Sequence, residues 1–552
     1  MRHSYSYSRW LAVLLLPSIG ILAQPTISLP ALSSAVARAP GMPGSGIAQG
    51  SIFSIYGSAL GPATWIEANQ FPLQTTLGGT SVTVTVGGTQ VSAIILGTDS
   101  NQVNAILPSI TPVGSGTFTV TYSGQTSSPA SIQVVSNAFG MYTFNQQGSG
   151  QAIATDANYQ VNTIVHVFHP NDYVVLWGTG LGPINGNDAA APPVGSLPTQ
   201  VTVYVGNTSA NVSYQGRSGC CSGLDQIIFQ VPAGVAGCYV PVAVETGGIT
   251  GNIGNFATIA VAESGGTCSD SVMGQDLVNQ LAAGQNVSFG YIRLYDKSSN
   301  SQPGFSSIAG VYDFGTTTFS QYTPATAGLA EYGVSTGYCA AVDCSYGCSS
   351  VMMDGTSDMA DESPAQLDAG TLTVHFAPVT TLTQQSPPGG YYGSVLSTNG
   401  RYLWASETYP VTGSGGAAVG PFSVNAVTSS TIAATLAFTG ITPQQTVPLG
   451  SDLALQWTGG DPALQGSNVT IVATSYSGDL TQAGLVMCTA PVSKQAFTIP
   501  KRLLAALPVS GKAGYGQLSI GQYNTPTSFT ATGLTRGIIT DIFSNVTWVN
   551  FK

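Results

Sequence analysis

The chain has 552 residues, 43% of them apolar and only 7% charged, with 68 glycines and 32 prolines. That length suits three to five domains at about 100–200 residues each, and the apolar content with a net charge of −11 excludes a disordered polymer. Thirteen Lys and Arg against 24 Asp and Glu leave no dense basic surface, which argues against nucleic acid and against electrostatic docking on anionic lipid.

The first 23 residues read as a signal peptide: Arg2 and Arg9 give a positive start, Trp10 to Ile21 an apolar centre, and Leu22-Ala23 precede Gln24. No cysteine follows to take a lipid anchor, and no later apolar run reaches the ~18–20 residues of a membrane span. The expected product is exported, and is secreted or held at the cell surface by contacts. Residues 24–45, rich in Pro, Ala and Ser, read as a flexible leader.

One stretch is then written twice. Gly50 to Pro62 returns as Asn171 to Pro183, and Asn101 to Pro108 returns as Asp225 to Pro232. Offsets of 121 and 124 residues place both marks in one duplicated unit, so tandem domains are expected. The first unit spans about 46–136. Val82, Val84 and Val86 alternate with threonines, Phe118 to Tyr122 alternate likewise, and Gly87-Gly88 marks a turn. A connecting segment over 137–169, with its own short strands, follows. The second unit, about 170–263, repeats the alternation at Val201, Val203 and Val205, with Gly206-Asn207 at the turn. Helical periodicity is nearly absent from both, which predicts an all-β chain of tandem β-sandwich domains, and the short strands between turn signals resemble immunoglobulin-like (IPT/TIG-like) β-sandwich domains.

Residues 264–425 read as a Cys-containing, β-rich domain, with a short helix over Ser271–Ala283 and a Cys- and Asp-rich loop from Tyr338 to Glu362. Residues 426–552 read as a C-terminal sandwich. Leu453, Leu455 and Trp457 alternate on one strand, Gly459 to Pro462 break it, and Val469 to Val472 and Phe497 to Ile499 are later strands. Pro500 to Leu507 predicts a helical turn or two, because Pro suits a helix start.

The duplicated marks resemble the Solibacter-type C-terminal module of secreted acidobacterial proteins. Gly50, Gly57, Leu60 and Gly61 match its opening in the first copy, and Gly178, Leu181 and Gly182 in the second. Gln102 with Pro108, and Gln226 with Pro232, match its later strand, while Ala138 to Tyr142 lack the proline of its linker. Leu367 to Gly370, Val419 to Phe422, Trp457 to Pro462 and Phe529 to Leu534 resemble a region found beside that module. The resemblance implies β-sandwiches and export, and carries no activity with it.

The eight cysteines are Cys220, Cys221, Cys238, Cys268, Cys339, Cys344, Cys348 and Cys488. An even count in an exported chain predicts disulfides, with 105 pairings open. The neighbours Cys220 and Cys221 are not expected to bond each other; one of them could close a loop with Cys238. Cys339, Cys344 and Cys348 lack the tight spacing of a zinc site, so stapling is expected, with Cys268 or Cys488 as an outside partner.

Other candidates are weighed on geometry. Asp354, Asp358, Asp361 and Glu362 are oxygen-rich enough for calcium, though their spacing fits no standard loop. No other cofactor is implied. Gly178-Thr179-Gly180-Leu181-Gly182 looks like a phosphate loop, but Pro183 and turn residues follow where a helix start is needed. His166 and His169, three apart on a strand, would face opposite ways and share no metal, and His375 reads as a packing residue. No G-x-S-x-G is present. Tyr391 and Tyr392 read first as packing residues and could otherwise stack on sugars. The resulting expectation is a non-catalytic binding, adhesion or structural protein whose partner is a surface glycan or a protein. The alternative is a secreted carbohydrate-active or proteolytic enzyme with its site in 264–425.

Overall fold

The computed structural model describes residues 24–34, 45–146, 148–191, 195–249, 252–299, 310–329, 334–343, 365–375, 380–382, 392–395, 403, 407–427, 436–464, 467–511 and 515–552. The expected signal peptide lies outside them. Among the described residues the strands form seven sheets, in tandem sandwiches.

The first sandwich places the order Thr26–Ser34, Ile52–Ser58, Gln102–Ile106, Ile94–Thr98, Ile66–Glu67 against a sheet centred on Thr80–Val86 and Gly114–Tyr122. The alternation reads out as expected: Val82, Val84 and Val86 are buried with Phe118 and Val120, across from Phe53, Ile55 and Val103. Each such side chain contributes about 1.5–3 kcal/mol by leaving water. At the tip, Val86 pairs with Thr89 across Gly87 and Gly88, both at positive φ, the two-residue turn whose twist matches the strands. In the second copy Val205 pairs with Thr208, and Gly206 takes positive φ at the first turn position.

Duplication extends to register. Tyr56 pairs with Gln102 in the first copy, and their counterparts Trp177 and Gln226 pair in the second. Gly50 becomes Asn171 at nearly the same positive φ, 71° and 75°, and Asn tolerates that region better than other side chains.

Two expectations need correction here. Part of the leader is ordered, because Thr26–Ser34 joins the first sandwich as an edge strand against Ile52–Ser58, with a register shift between Ile27 and Leu32 that brackets Pro30. An edge strand needs one partner only, which Pro tolerates. Likewise the segment 137–169 is more than a connector. Gly140–Met141 and Ala154–Thr155 pair with Tyr173–Thr179, and Phe139, Met141, Ala154 and Phe168 enter the second sandwich's interior.

Beyond residue 286 one large sheet dominates. Its order is Cys339–Asp343, Ala483–Pro491, Asn468–Tyr476, Gly516–Tyr523, Arg536–Phe551, Val287–Ser299, Gly310–Tyr322, Ala365–Gln366. The boundary expected at 425/426 therefore runs through this sheet: Val287–Ser299 lies parallel to Arg536–Phe551, Phe289 against Arg536 onward. One face packs on two small sheets. Ile292, Leu294 and Ile539 meet Leu372, Val411 and Val424, while Ile471, Val486 and Leu518 meet Leu455, Trp457 and Ile499. The expected helices are present in shorter form, over Gln275–Ala282 with Leu277, Val278 and Leu281 buried, and over Lys501–Leu504 directly after Pro500. Among the described residues no helix is long and apolar enough to cross a membrane.

Candidate functional site

The glycines of Gly178 to Gly182 serve packing. A Cβ at Gly178 would strike the Gly140 carbonyl and the Phe139 ring, and one at Gly180 would strike the Ala138 carbonyl. The loop is tight because residues 138–140 cross it. His166 sits 3.7 Å from Asp156, whereas His169 contacts the Gly265 carbonyl at 2.8 Å and Asp172 at 3.2 Å. They share no site. His375, expected in the packing, is exposed beside Thr412. Among the described residues no group of three His, Cys, Asp or Glu could hold a metal ion. The calcium candidates Asp354, Asp358, Asp361 and Glu362 lie outside the described residues, as do Cys344, Cys348, Tyr391 and the side chain of Tyr392.

Three disulfides are present among the described residues: Cys238–Cys268, Cys339–Cys488 and Cys220–Cys221. The last reverses the expectation that the neighbours stay apart, and Cys238 is taken by Cys268 rather than by either of them. The Cys339–Cys488 bridge joins adjacent strands paired at those two residues. Such bridges belong to a chain that folds in an oxidising, extracytoplasmic compartment.

The junction of the two sandwiches holds a feature that the sequence reading passed over. Arg217 ends one strand and Asp225 begins the next, and they form an ion pair at 3% and 0% exposure. The same guanidinium donates to the Gly182 carbonyl at 2.9 Å and to the Gly50 carbonyl of the first sandwich at 3.2 Å. Asp225 also accepts from the Leu181 amide at 2.8 Å. Burial pushes the Asp225 carboxyl up, while Arg217 and the backbone donors pull it down. Asp188 completes the junction by accepting from the Ser109 amide and hydroxyl, both at 2.8 Å. In a chain with 13 Lys and Arg, an arginine within an alternating strand was the available signal.

The second face of the large sheet builds the candidate site. Side chains alternate, so the face opposite the apolar interior carries Thr489, Thr470, Tyr523, Thr540, Arg293 and Ser320 on successive strands. These line a cavity of about 890 Å³. Its opposite wall is Ala236 to Tyr239, from the end of the second sandwich, with Val261 to Val272. That wall is fastened twice in neighbouring positions: Cys238 to Cys268 by the disulfide, and Tyr239 to Asp270 by a hydrogen bond from the phenol.

Asp270 is buried, and its other carboxylate oxygen accepts from the Val272 and Met273 amides at 2.7 and 2.6 Å. Burial pushes its pKa up; the Tyr239 and backbone donors act against that. Its oxygens are thus committed to holding the wall. Arg293, at 6% exposure, lies in the floor with its guanidinium 5.1 Å from the centre of the Tyr291 ring. At the far edge the Gln366 Oε1 atom is buried and accepts no hydrogen bond. Tyrosine rings, hydroxyls and amides converge here on one concavity, the pattern of a binding pocket. Such a lining donates and accepts hydrogen bonds at many points while offering flat apolar faces.

No protein-family model and no curated protein matches the chain. Among solved structures, it is similar to the S-layer protein SbsC, domains 5–6, at 13% identity over 44% of this chain and 100% of that one, with a TM-score of 0.16. It is similar to SGBP-B from a complex xyloglucan utilization locus in Bacteroides uniformis at 10% identity, over 68% and 87% of the two chains and a TM-score of 0.15. A gamma-CGTase from alkalophilic Bacillus clarkii matches at 10% identity over 69% and 37%, with a TM-score of 0.14. Superpositions this loose carry no argument about function.

Proposed function

We propose that this is an exported, non-catalytic binding protein whose ligand is a polyhydroxylated molecule, a surface glycan in the first instance, held in the cleft over the large sheet. The observation that carries the reading is the convergence, on one 890 Å³ cavity, of hydroxyls, amides and tyrosine rings around an unpaired Gln366 amide oxygen. The described carboxylates of the lining support binding over hydrolysis. Asp270 is occupied by Tyr239 and two amides, and Glu263 stands exposed at the rim. Export is supported by the disulfides and by the expected signal peptide. Membership of the Solibacter-type group is likewise our reading, supported by the two copies of its marks at one register.

The test is a glycan array and a cell-wall pull-down with the mature full chain. Saturable binding is expected, about tenfold weaker in Gln366→Ala and in Thr470→Val. Turnover of any polymer would overturn the non-catalytic reading, and absence of binding to every glycan would overturn the ligand class.

A further inference from the structure

The first sandwich carries a second surface, remote from the cleft. On its five-stranded sheet, Val103 and Ala105 point inward, so Gln102 and Asn104 of the same strand point outward. Tyr56 pairs with Gln102 on one flank and is 43% exposed. On the other flank Gly97 pairs with Asn104, and a Cβ there would run into the Trp65 ring. Gly97 therefore lets the indole approach the sheet closely, where Trp65 remains 38% exposed. Two aromatic rings thus flank a pair of amides on one solvent-facing strip. Two strand spacings and one two-residue step put the rings on the order of 12 Å apart on the diagonal.

The amides between them are already oriented. The Gln102 side-chain nitrogen donates to Asn104 Oδ1 at 2.8 Å, and Ser54 donates to the same oxygen at 2.8 Å. This leaves the Asn104 amide nitrogen and the Gln102 oxygen directed to other partners. The charged groups in contact with the strip are Glu67, which accepts from the Trp65 indole at 2.9 Å, and Asp99, which accepts from the Gln102 backbone amide at 2.8 Å. With a chain charge of −11, these carboxylates disfavour an anionic polymer.

The second copy sharpens the point. At identical register it keeps the aromatic and the glutamine, as Trp177 and Gln226, but Ile228 stands where Asn104 does. Tyr159 also covers Trp177, its ring 6.2 Å away, and the indole donates to Thr155 at 3.0 Å. One copy closes the strip over with its own chain; the other leaves it open.

We infer that Trp65, Tyr56, Gln102 and Asn104 form a flat binding platform for a linear, neutral, β-linked glycan chain. The two rings stack on the apolar C–H faces of sugars about one disaccharide unit apart, and the amides bond the intervening hydroxyls. Flat rings at that spacing suit an extended ribbon better than a compact sugar. The platform is separate from the cleft, and either can fail without the other.

The experiment is retention of the mature full chain on microcrystalline cellulose and its retardation in gels containing a soluble mixed-linkage β-glucan, with polygalacturonate as the acidic control. Wild type is expected to be retained on the neutral polymers and not retarded by polygalacturonate. Tyr56→Ala and Trp65→Ala should each lose at least tenfold in retention, and Gln102→Ala about threefold, while Gln366→Ala in the cleft stays as wild type. Melting temperatures accompany each variant, and Tyr56→Ala, at an exposed position, keeps the test informative where Trp65→Ala loosens the sheet. Retention of Tyr56→Ala equal to wild type, loss of retention in Gln366→Ala alone, or no retention of wild type would overturn the platform.

Discussion

Replacing Asp225 by Asn probes how the two sandwiches are fastened. In wild type the carboxylate faces Arg217 at full burial, and the guanidinium bridges the Gly182 and Gly50 carbonyls. The substitution keeps the shape and leaves an oxygen for the Leu181 amide, but it removes the counter-charge. A guanidinium that is 3% exposed then stays buried without compensation, and breaking a buried pair from one side costs about 3–5 kcal/mol. For a sandwich of this size, each kcal/mol lowers Tm by about 4 °C, so D225N should melt about 12–20 °C lower in calorimetry. The double variant Arg217→Met with Asp225→Leu leaves no lone charge and should lose far less. Because Arg217 also holds Gly50, D225N should speed protease cleavage at the junction. A D225N transition within about 3 °C of wild type would refute the reasoning, since it would mean that water or another group already neutralises the guanidinium.

Other consequences follow from the same geometry. Cys238–Cys268 closes a separation of 30 residues and Cys339–Cys488 one of 149, so the chain-entropy account gives about 3–4 and about 5 kcal/mol. The C238S/C268S and C339S/C488S variants should rank in that order by urea midpoint, and a non-reduced peptide map should recover both bridges and Cys220–Cys221. Asp270 has a folded pKa raised above its ordinary 3.8, so the folded state holds its proton longer than the unfolded chain. Its contribution is fully present below 3.8 and declines as pH rises toward the folded value. D270N should therefore flatten the fall of Tm with pH across that window; an unchanged slope would count against it. Trp457→Ala, at a fully buried ring among Leu455, Ile471 and Ile499, should cost about 3–5 kcal/mol in denaturant titration.

The sandwiches were legible because their signals are local. Val82 to Val86 declare an inward face by alternation alone, Gly87-Gly88 declare a turn, and the repeat of Gln102 as Gln226 declares a shared register. The strand Thr26–Ser34 was missed because an edge strand with one proline before it and one inside it, Pro25 and Pro30, reads as coil until its partner is known. The large sheet was missed for a stronger reason. Val287–Ser299 and Arg536–Phe551 are parallel neighbours, and parallel pairing across such a span leaves no turn residue and no hairpin spacing to read. The Cys220–Cys221 bridge was set aside on spacing, although Gly219 and Gly223 at positive φ give the surrounding loop the freedom to hold adjacent cysteines.

The cleft was illegible for a reason that also says why its residues matter. On an isolated sheet, Thr470, Thr489 and Thr540 are simply the polar half of an alternating pattern, and alternation cannot separate a face open to solvent from one that lines a pocket. What separates them is the opposite wall, supplied by residues 236–239 and 261–272 and fastened at Cys238 and Tyr239. The wall is thus set by one bridge and one phenol–carboxylate bond, at adjacent residues on one side and two residues apart on the other. If the cleft binds its ligand as proposed, C238S/C268S should weaken binding about as much as Gln366→Ala does, by releasing the wall that these two lining residues fasten. Full affinity in that variant, measured on the folded protein, would mean that the sheet face alone recognises the ligand and that the wall is incidental.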